Sequence, residues 1–223
     1  FRVSPLKVPM PTQQSLIRVR VWDLPTRLFH WALAVCFSGF LISGAAMAFH
    51  FRFGYAMLTL LLFRFVWGLV GGRWSRFSSF LFSPQATLAY LKGESPIDAR
   101  VGHSPLAALS VWALLAFLTL QVATGLVSDD EIFHAGPLTH MVSNGTVRLA
   151  TFYHADIGQL ALLPLVLLHL GAVIYHTRCR HSLVSAMLHG DKLLPFAAMP
   201  SRDNAKTRLL ALVILLLCGA TAY

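Results

Sequence analysis

The chain has 223 residues, 56% of them hydrophobic and only 12% charged, whereas a soluble domain is nearer about 25% charged. That balance excludes an ordinary water-soluble globular enzyme. The formal net charge of +9 would suit nucleic acid in a soluble protein, but here Lys and Arg are confined to alternate segments between apolar runs, so a membrane topology accounts for it and no nucleic-acid partner is expected.

Residues 1–27 form a polar N-terminal arm with Arg2, Lys7, Arg18, Arg20 and Arg27. It is not a signal peptide, because the apolar run after it is long enough to span and no small-residue cleavage site follows closely. Apolar runs of about 18 residues or more read as membrane helices. Four are full, at Trp31–Phe49, Phe53–Gly71, Pro105–Val127 and Ala155–Tyr175, and a fifth, Leu209–Tyr223, is still apolar at its last residue. With Phe1 in place of a Met, this predicts a gene product longer than the chain at both ends. Gly71–Gly72 closes the second helix, Gln85–Lys92 after Ser83–Pro84 reads as a short surface helix, and Pro105 sits in the first turn of the third helix, where its missing N–H is harmless. The longest outer loop runs from Ser128 to Tyr153, and Pro164 lies inside the fourth helix, where it is expected to introduce a kink or a one-residue bulge. Cys36, Cys179 and Cys218 are isolated and form no haem-attachment or metal motif.

The expected fold is an all-α membrane protein: a four-helix transmembrane bundle over residues 28–178, a cytoplasmic segment over 179–207, and a partial fifth transmembrane helix over 208–223. Arg73, Arg76, Lys92 and Arg100 follow the second helix, and Arg178, Arg180, Lys192, Arg202, Lys206 and Arg208 lie between the fourth and fifth, whereas the other side has only Arg52 and Arg148 beside Asp129, Asp130 and Glu131. The positive-inside rule then places the N-terminus in the cytoplasm.

An ionisable side chain at membrane depth is costly and therefore a functional candidate. His30 lies at the inner end of the first helix, His50 at the outer start of the second, His154 at the outer start of the fourth, and His169 lies 15 residues further on, about 22 Å deeper. They form two layers, His50 with His154 outside and His30 with His169 inside, as two bis-histidine b-type haems would require. Fifteen residues leave a net rotation of about 60° between His154 and His169, which a bulge at Pro164 would reduce. His176, seven residues past His169, is the alternative inner ligand. Arg64, 14 residues after His50, falls about 21 Å inward, where it either pairs with a haem propionate or snorkels to the surface. Arg27, Arg73 and Arg76 could contact propionates or serve only as topology anchors. His103 reads as a propionate or headgroup contact, and His134, His140, His181 and His189 as solvated or structural.

At these residues the chain resembles the bacterial di-haem cytochrome b-561 group, particularly the b-type cytochrome subunit of nickel–iron hydrogenases. The resemblance rests on Val21-Trp22-Asp23-Leu24-Pro25-Thr26-Arg27-Leu28-Phe29-His30-Trp31, Arg64-Phe65-Val66-Trp67-Gly68-Leu69-Val70-Gly71, Gly102-His103-Ser104-Pro105, Thr124-Gly125-Leu126, the His154 and His169 pair, and the stretch from Ser182-Leu183-Val184 through Ala186-Met187 to Gly190 and Lys192. It covers about Val21 to Lys192. It implies His30, His50, His154 and His169 as haem ligands, two non-covalent haem b groups, exchange with the quinone or quinol pool, and electron traffic with a partner subunit in the bacterial inner membrane. Two features depart from the pattern: the spacing of 15 where 14 is expected, and the further helix after Arg208.

The expected function is therefore an electron-transfer subunit that works within an oxidoreductase complex, relaying electrons across the lipid bilayer between quinone and a redox subunit or c-type cytochrome. Asp129-Asp130-Glu131 could dock a basic partner or be ordinary loop charge. The competing reading is a histidine-based metal or proton transporter without haem. It would call for carboxylates at mid-membrane, and the acid closest to a helix is Asp156, at an outer end. A mere anchor would not need paired histidines.

Overall fold

The structure, a computed structural model, describes residues 16–43, 47–94, 101–132, 134–179 and 183–223. Arg2, Lys7, Arg100, Arg180, His181 and Ser182 lie outside the described residues. Five helices among those described are long and apolar enough to cross a membrane. In chain order the elements are strand β1 (Ile17–Arg20), helices α1 (Leu24–Ser43) and α2 (Met47–Val70), a 3₁₀ turn at Phe77–Phe80, α3 (Pro84–Leu91) and α4 (Pro105–Leu126). After these come α5 (Asn144–Phe152), a π turn at Tyr153–Ile157, α6 (Gly158–Arg178), α7 (Leu183–His189), strand β2 (Asp191–Leu194) and α8 (Ala205–Ala222). α5, the π turn and α6 form one continuous span, Asn144–Arg178.

The helix starts follow local capping chemistry. Ser104 accepts a hydrogen bond from the Ala107 N–H at 3.3 Å, with Pro105 in the first turn. Ser143 caps α5 through Thr146 N–H at 3.2 Å, and Asn204 forms a capping box with Thr207 at the start of α8. The fourth span therefore begins about ten residues before the apolar run that marks it, because its first turns carry Thr146, Arg148 and Thr151 and are amphipathic rather than apolar. The short helix expected after Ser83 is present, with Ser83 as its cap.

α2 is central: it packs against α1, α4 and α8. The bundle core joins Phe29 of α1, Met57, Leu61, Phe63 and Trp67 of α2, Leu115 and Leu118 of α4, Leu162 of α6, and Ala211 and Cys218 of α8. The fifth span is thus part of the packed bundle. Large apolar side chains such as Ile42, Leu69, Leu160, Leu168 and Leu216 point outward and are exposed, as suits a lipid-facing surface on which backbone polar groups are satisfied within each helix.

One end of the bundle carries a small cap that the hydropathy pattern did not reveal. β1 and β2 pair antiparallel, with Val19 opposite Lys192. Val19, Val21, Trp22, Trp74, Val101, Ala186 and Leu194 form a second apolar core beneath them. Arg20 joins Asp191 at 2.6 Å and Asp203 at 2.9 Å, and Arg208 of α8 joins the same Asp203 at 2.9 Å. Lys192 donates to the carbonyls of Val101 at 2.7 Å and Gly102 at 3.1 Å, which ties β2 to the entry of α4.

Cap and bundle meet at Asp23, which is 0% exposed. Its carboxyl group accepts from Thr26 N–H at 2.8 Å, Trp67 Nε1–H at 3.2 Å, Gly72 N–H at 3.2 Å and the Ser75 hydroxyl at 2.6 Å. Thr26 Oγ1 donates in turn to Ser75 Oγ at 2.7 Å. One side chain caps α1 and holds the end of α2.

Two predictions follow from this end of the molecule. Asp23→Ala leaves several buried donors without an acceptor, each worth about 1–3 kcal/mol, so stability should fall by about 3 kcal/mol or more; thermal melts of the detergent-solubilised protein check this, and a loss under about 1 kcal/mol would refute the joint. His103, just ahead of α4, has its pKa pushed down from 6.5 to about 3, first by burial and then by the charges of Arg64 and Lys192. A depressed pKa in the fold means that the unfolded chain takes up the proton first, so this contribution is complete above about 6.5 and is lost as pH falls toward about 3. The Tm difference between His103→Gln and the parent should shift in favour of the variant as pH drops through that window, and a pH-independent difference would refute it.

Candidate functional site

The structure brings the four membrane histidines together as two facing pairs. At the end away from the cap, the His50 ring of α2 and the His154 ring in the π turn have centroids 5.7 Å apart. At the cap end, the rings of His30 on α1 and His169 on α6 are 6.3 Å apart. Two imidazoles on opposite sides of one metal atom, each with a metal–nitrogen bond of about 2 Å, have ring centres about 6 Å apart. The ring facing His30 is that of His169, while His176 lies one residue beyond Tyr175, near the far end of α6.

The distal pair has a built environment. A cavity of about 540 Å³ lies between the helices, lined by His50, His154, Phe40, Gly54, Gly125 and Leu162, and reaches the loop at Asp129, Asp130 and His134. That volume falls in the range of pockets that bury a cofactor-sized ligand. His154 Nδ1 lies 2.8 Å from the backbone carbonyl of Gln121. A carbonyl only accepts, so Nδ1 carries the proton and Nε2 keeps a free lone pair. The Gln121 amide donates back to the His154 carbonyl at 2.9 Å. A methyl group at Gly125 would lie 2.7 Å from His154 Cε1, so only glycine leaves room for the ring, and Gly158 likewise gives way to the Gln121 side chain.

The irregularity expected at Pro164 occurs instead at His154. α6 runs unbroken through Pro164, while Gly158 N–H reaches back five residues to the Tyr153 carbonyl. The cause is local: the His154 carbonyl is taken by the Gln121 amide, so the helix opens by one residue at that point. A π turn absorbs about one extra residue, which brings the rotation between His154 and His169 from about 60° to about 40° in the opposite sense. The spacing of 15 thus behaves as about 14. His154 also lies well inside its span, which begins at Asn144.

The cap end also carries buried basic residues. Arg64 is 4% exposed, on the α2 face that also carries His50, Met57 and Leu61, and its Nη1 is buried without a hydrogen-bond partner. Its guanidinium stands 4.6 Å from the Phe77 ring centre and 5.9 Å from that of Phe80. Arg27, three residues before His30, donates Nη1–H to the Leu188 carbonyl and buries Nε without a partner. Arg73 is not brought to either pair; it is exposed on the cap beside Trp74. His30 Nδ1 is buried and unpartnered as well. Among the described residues, no group of three or more His, Cys, Asp and Glu converges on one point.

Sequence reasoning missed Gln121, Gly158 and the π turn. The available signal was Gln121 itself, the sole carboxamide in the otherwise apolar span Pro105–Leu126, where an amide is expensive unless it is bonded.

The comparisons with known proteins agree with this architecture. Residues 21–190 match the family described as prokaryotic cytochrome b561. No curated protein matches the sequence. The matched segment includes both histidine pairs, Asp23, Arg64 and Gln121, and extends over most of the chain. The protein therefore belongs to the prokaryotic cytochrome b561 family: it is a multi-pass membrane protein and a b-type cytochrome of electron transfer.

Proposed function

We propose that the chain relays electrons across the membrane through two haem b groups, one held by His50 and His154 and one by His30 and His169. The observation that carries this reading is the pair of ring separations, 5.7 Å and 6.3 Å, at two levels of one bundle. A haem iron with two imidazole ligands is closed to other ligands and exchanges single electrons. The protein's own residues do the rest. Gln121 fixes the tautomer of His154 and the path of its backbone. Gly125 leaves space for the ring, and Met57, Leu61, Leu118 and Leu162 keep the interior dry. Arg64 and Arg27, each with a buried nitrogen lacking a partner, supply positive charge for propionates at the cap end, while Arg73 belongs to the cap surface.

The cap end is read as cytoplasmic. It carries Arg18, Arg20, Arg27, Arg73, Arg76, Lys92, Arg178, Lys192, Arg202, Lys206 and Arg208, against Arg52 and Arg148 at the other end, which is the bias that orients multi-pass proteins in the bacterial inner membrane. Electrons would pass between the quinone or quinol pool and a redox subunit or c-type cytochrome.

A pyridine haemochrome assay on purified protein tests the count. Wild type should hold two haem b per chain, and His154→Ala and His169→Ala one each. Haem retained at two per chain in His169→Ala would transfer the ligand role to His176, and a well-folded wild type without haem would return the chain to the transporter reading. Gly125→Val, which fills the space of the His154 ring, should lose one haem and leave the other, as seen in the reduced-minus-oxidised spectrum; two haems with an unaltered spectrum would count against the distal site.

A further inference from the structure

Three basic side chains converge at the cap end from three separate segments, and two of them, Arg64 and His103, bury a nitrogen with no hydrogen-bond partner, while Lys192 is held by the Val101 and Gly102 carbonyls. Arg64 comes from α2, His103 from the entry to α4, and Lys192 from β2. His103 is packed between aromatic faces, 4.7 Å from the Trp22 ring centre and 4.6 Å from that of Phe80, and its Nδ1 is buried without a partner. Phe80 is also the ring beside which Arg64 stands, so both residues share one aromatic wall. Lys192 also stands over Trp22, its Nζ 5.9 Å from that ring centre.

The nearest acid does not satisfy this group. Asp23 acts on Arg64 only as a through-space charge, and its oxygens are already engaged by Thr26, Trp67, Gly72 and Ser75. Asp191 and Asp203 are committed to Arg18, Arg20 and Arg208. A buried guanidinium nitrogen met only by a through-space charge is expensive, and so is a buried imidazole nitrogen with nothing to bond. A site built at that cost is built for an anion with oxygen acceptors, a carboxylate or a phosphate.

We propose that Arg64 and His103 together form a carboxylate pocket, flanked by Lys192, which receives a propionate of the cap-end haem. This rests on the reading that His30 and His169 hold that haem. The carboxylate source is favoured over a lipid phosphate because Arg64 is 4% exposed, on the interior face of α2, so the anion must arrive attached to something bound inside the bundle. His103 is held neutral by burial and by its two cationic neighbours, and its pKa stands at about 3. A neutral ring still donates from Nδ1–H, so an arriving carboxylate fixes that tautomer of His103 while it pairs with Arg64.

The test needs no variant at first. Haem-free full-length protein in nanodiscs is reconstituted with haem b or with its dimethyl ester, whose propionates cannot ionise, and binding at the cap-end site is followed in the visible spectrum. The wild type should bind the ester about tenfold more weakly at this site, the worth of a charge-assisted hydrogen bond. Arg64→Gln and His103→Gln should each weaken haem b and shrink the gap between haem b and its ester. The distal haem, retained at His50 and His154, reports that each variant is folded. An ester gap of full size in both variants would place the propionate elsewhere and overturn the pocket. Equal binding of haem b and ester, with one phospholipid phosphorus per chain co-purifying with wild type and lost in Arg64→Gln, would assign the pocket to a lipid phosphate and equally overturn the proposal. Failure of both ligands to bind at the cap end would instead reject the His30 and His169 site on which it stands.

Discussion

The architecture depends on one buried side chain. Asp23 satisfies donors from the first turn of α1, the last turn of α2 and the segment that follows it. Without it, the start of α1 and the end of α2 would each bury unsatisfied polar groups in an environment where these are expensive. Because His30 lies seven residues beyond Asp23, on the helix that Asp23 caps, and Arg64 three residues before Trp67, the joint also sets the axial level of both. The stretches Val21 to Trp31 and Arg64 to Gly71, separate in sequence, are thus two halves of one hydrogen-bonded junction. Their residue types are dictated by it: an acid to accept, an indole and small hydroxyls to donate.

The two histidine pairs are held by different means. At the distal pair, hydrogen bonds define the ring geometry: the Gln121 carbonyl accepts from the His154 ring and its amide donates to the His154 backbone, and the π turn is the structural cost of that exchange. This is the arrangement by which a ligating imidazole has its tautomer and orientation fixed from the side away from the metal. At the cap pair, by contrast, His30 Nδ1 has no such partner, and the ring packs edge-on against Trp31 and faces His169. The two pairs are accordingly oriented by different means, hydrogen bonding at one end and ring packing at the other.

Much of this was legible in the sequence. The spans, the two histidine layers and the depth of Arg64 all follow from run length and the rise per residue. What escaped was of two kinds. The β1–β2 ribbon and the cap core are formed by residues about 170 positions apart, such as Val19 and Lys192, and a four-residue strand carries no periodicity long enough to detect. The π turn was anticipated but at the wrong place, since Pro164 is the conspicuous irregularity in the sequence, whereas the decisive interaction is a cross-helix bond from Gln121. A proline on the exposed side of a helix is tolerated where the turn before it can relax; a carbonyl claimed by a neighbouring amide forces the ladder to skip a residue.

The distribution of polarity follows from the bilayer. Between the two levels the bundle offers Met57, Leu61, Leu115, Leu118 and Leu162, none of which can stabilise charge, so any charge must rest at one level or the other. The ends then differ in sign. The cap end carries the buried or half-buried cations Arg27, Arg64 and Lys192, while the distal cavity opens toward Asp129 and Asp130. A positive surround favours the state of a redox group that has gained an electron, and a negative surround favours the state that has lost one. An apolar separator keeps these two fields from being averaged by solvent, and this is what lets one short bundle present two electrostatically distinct histidine pairs at its two ends.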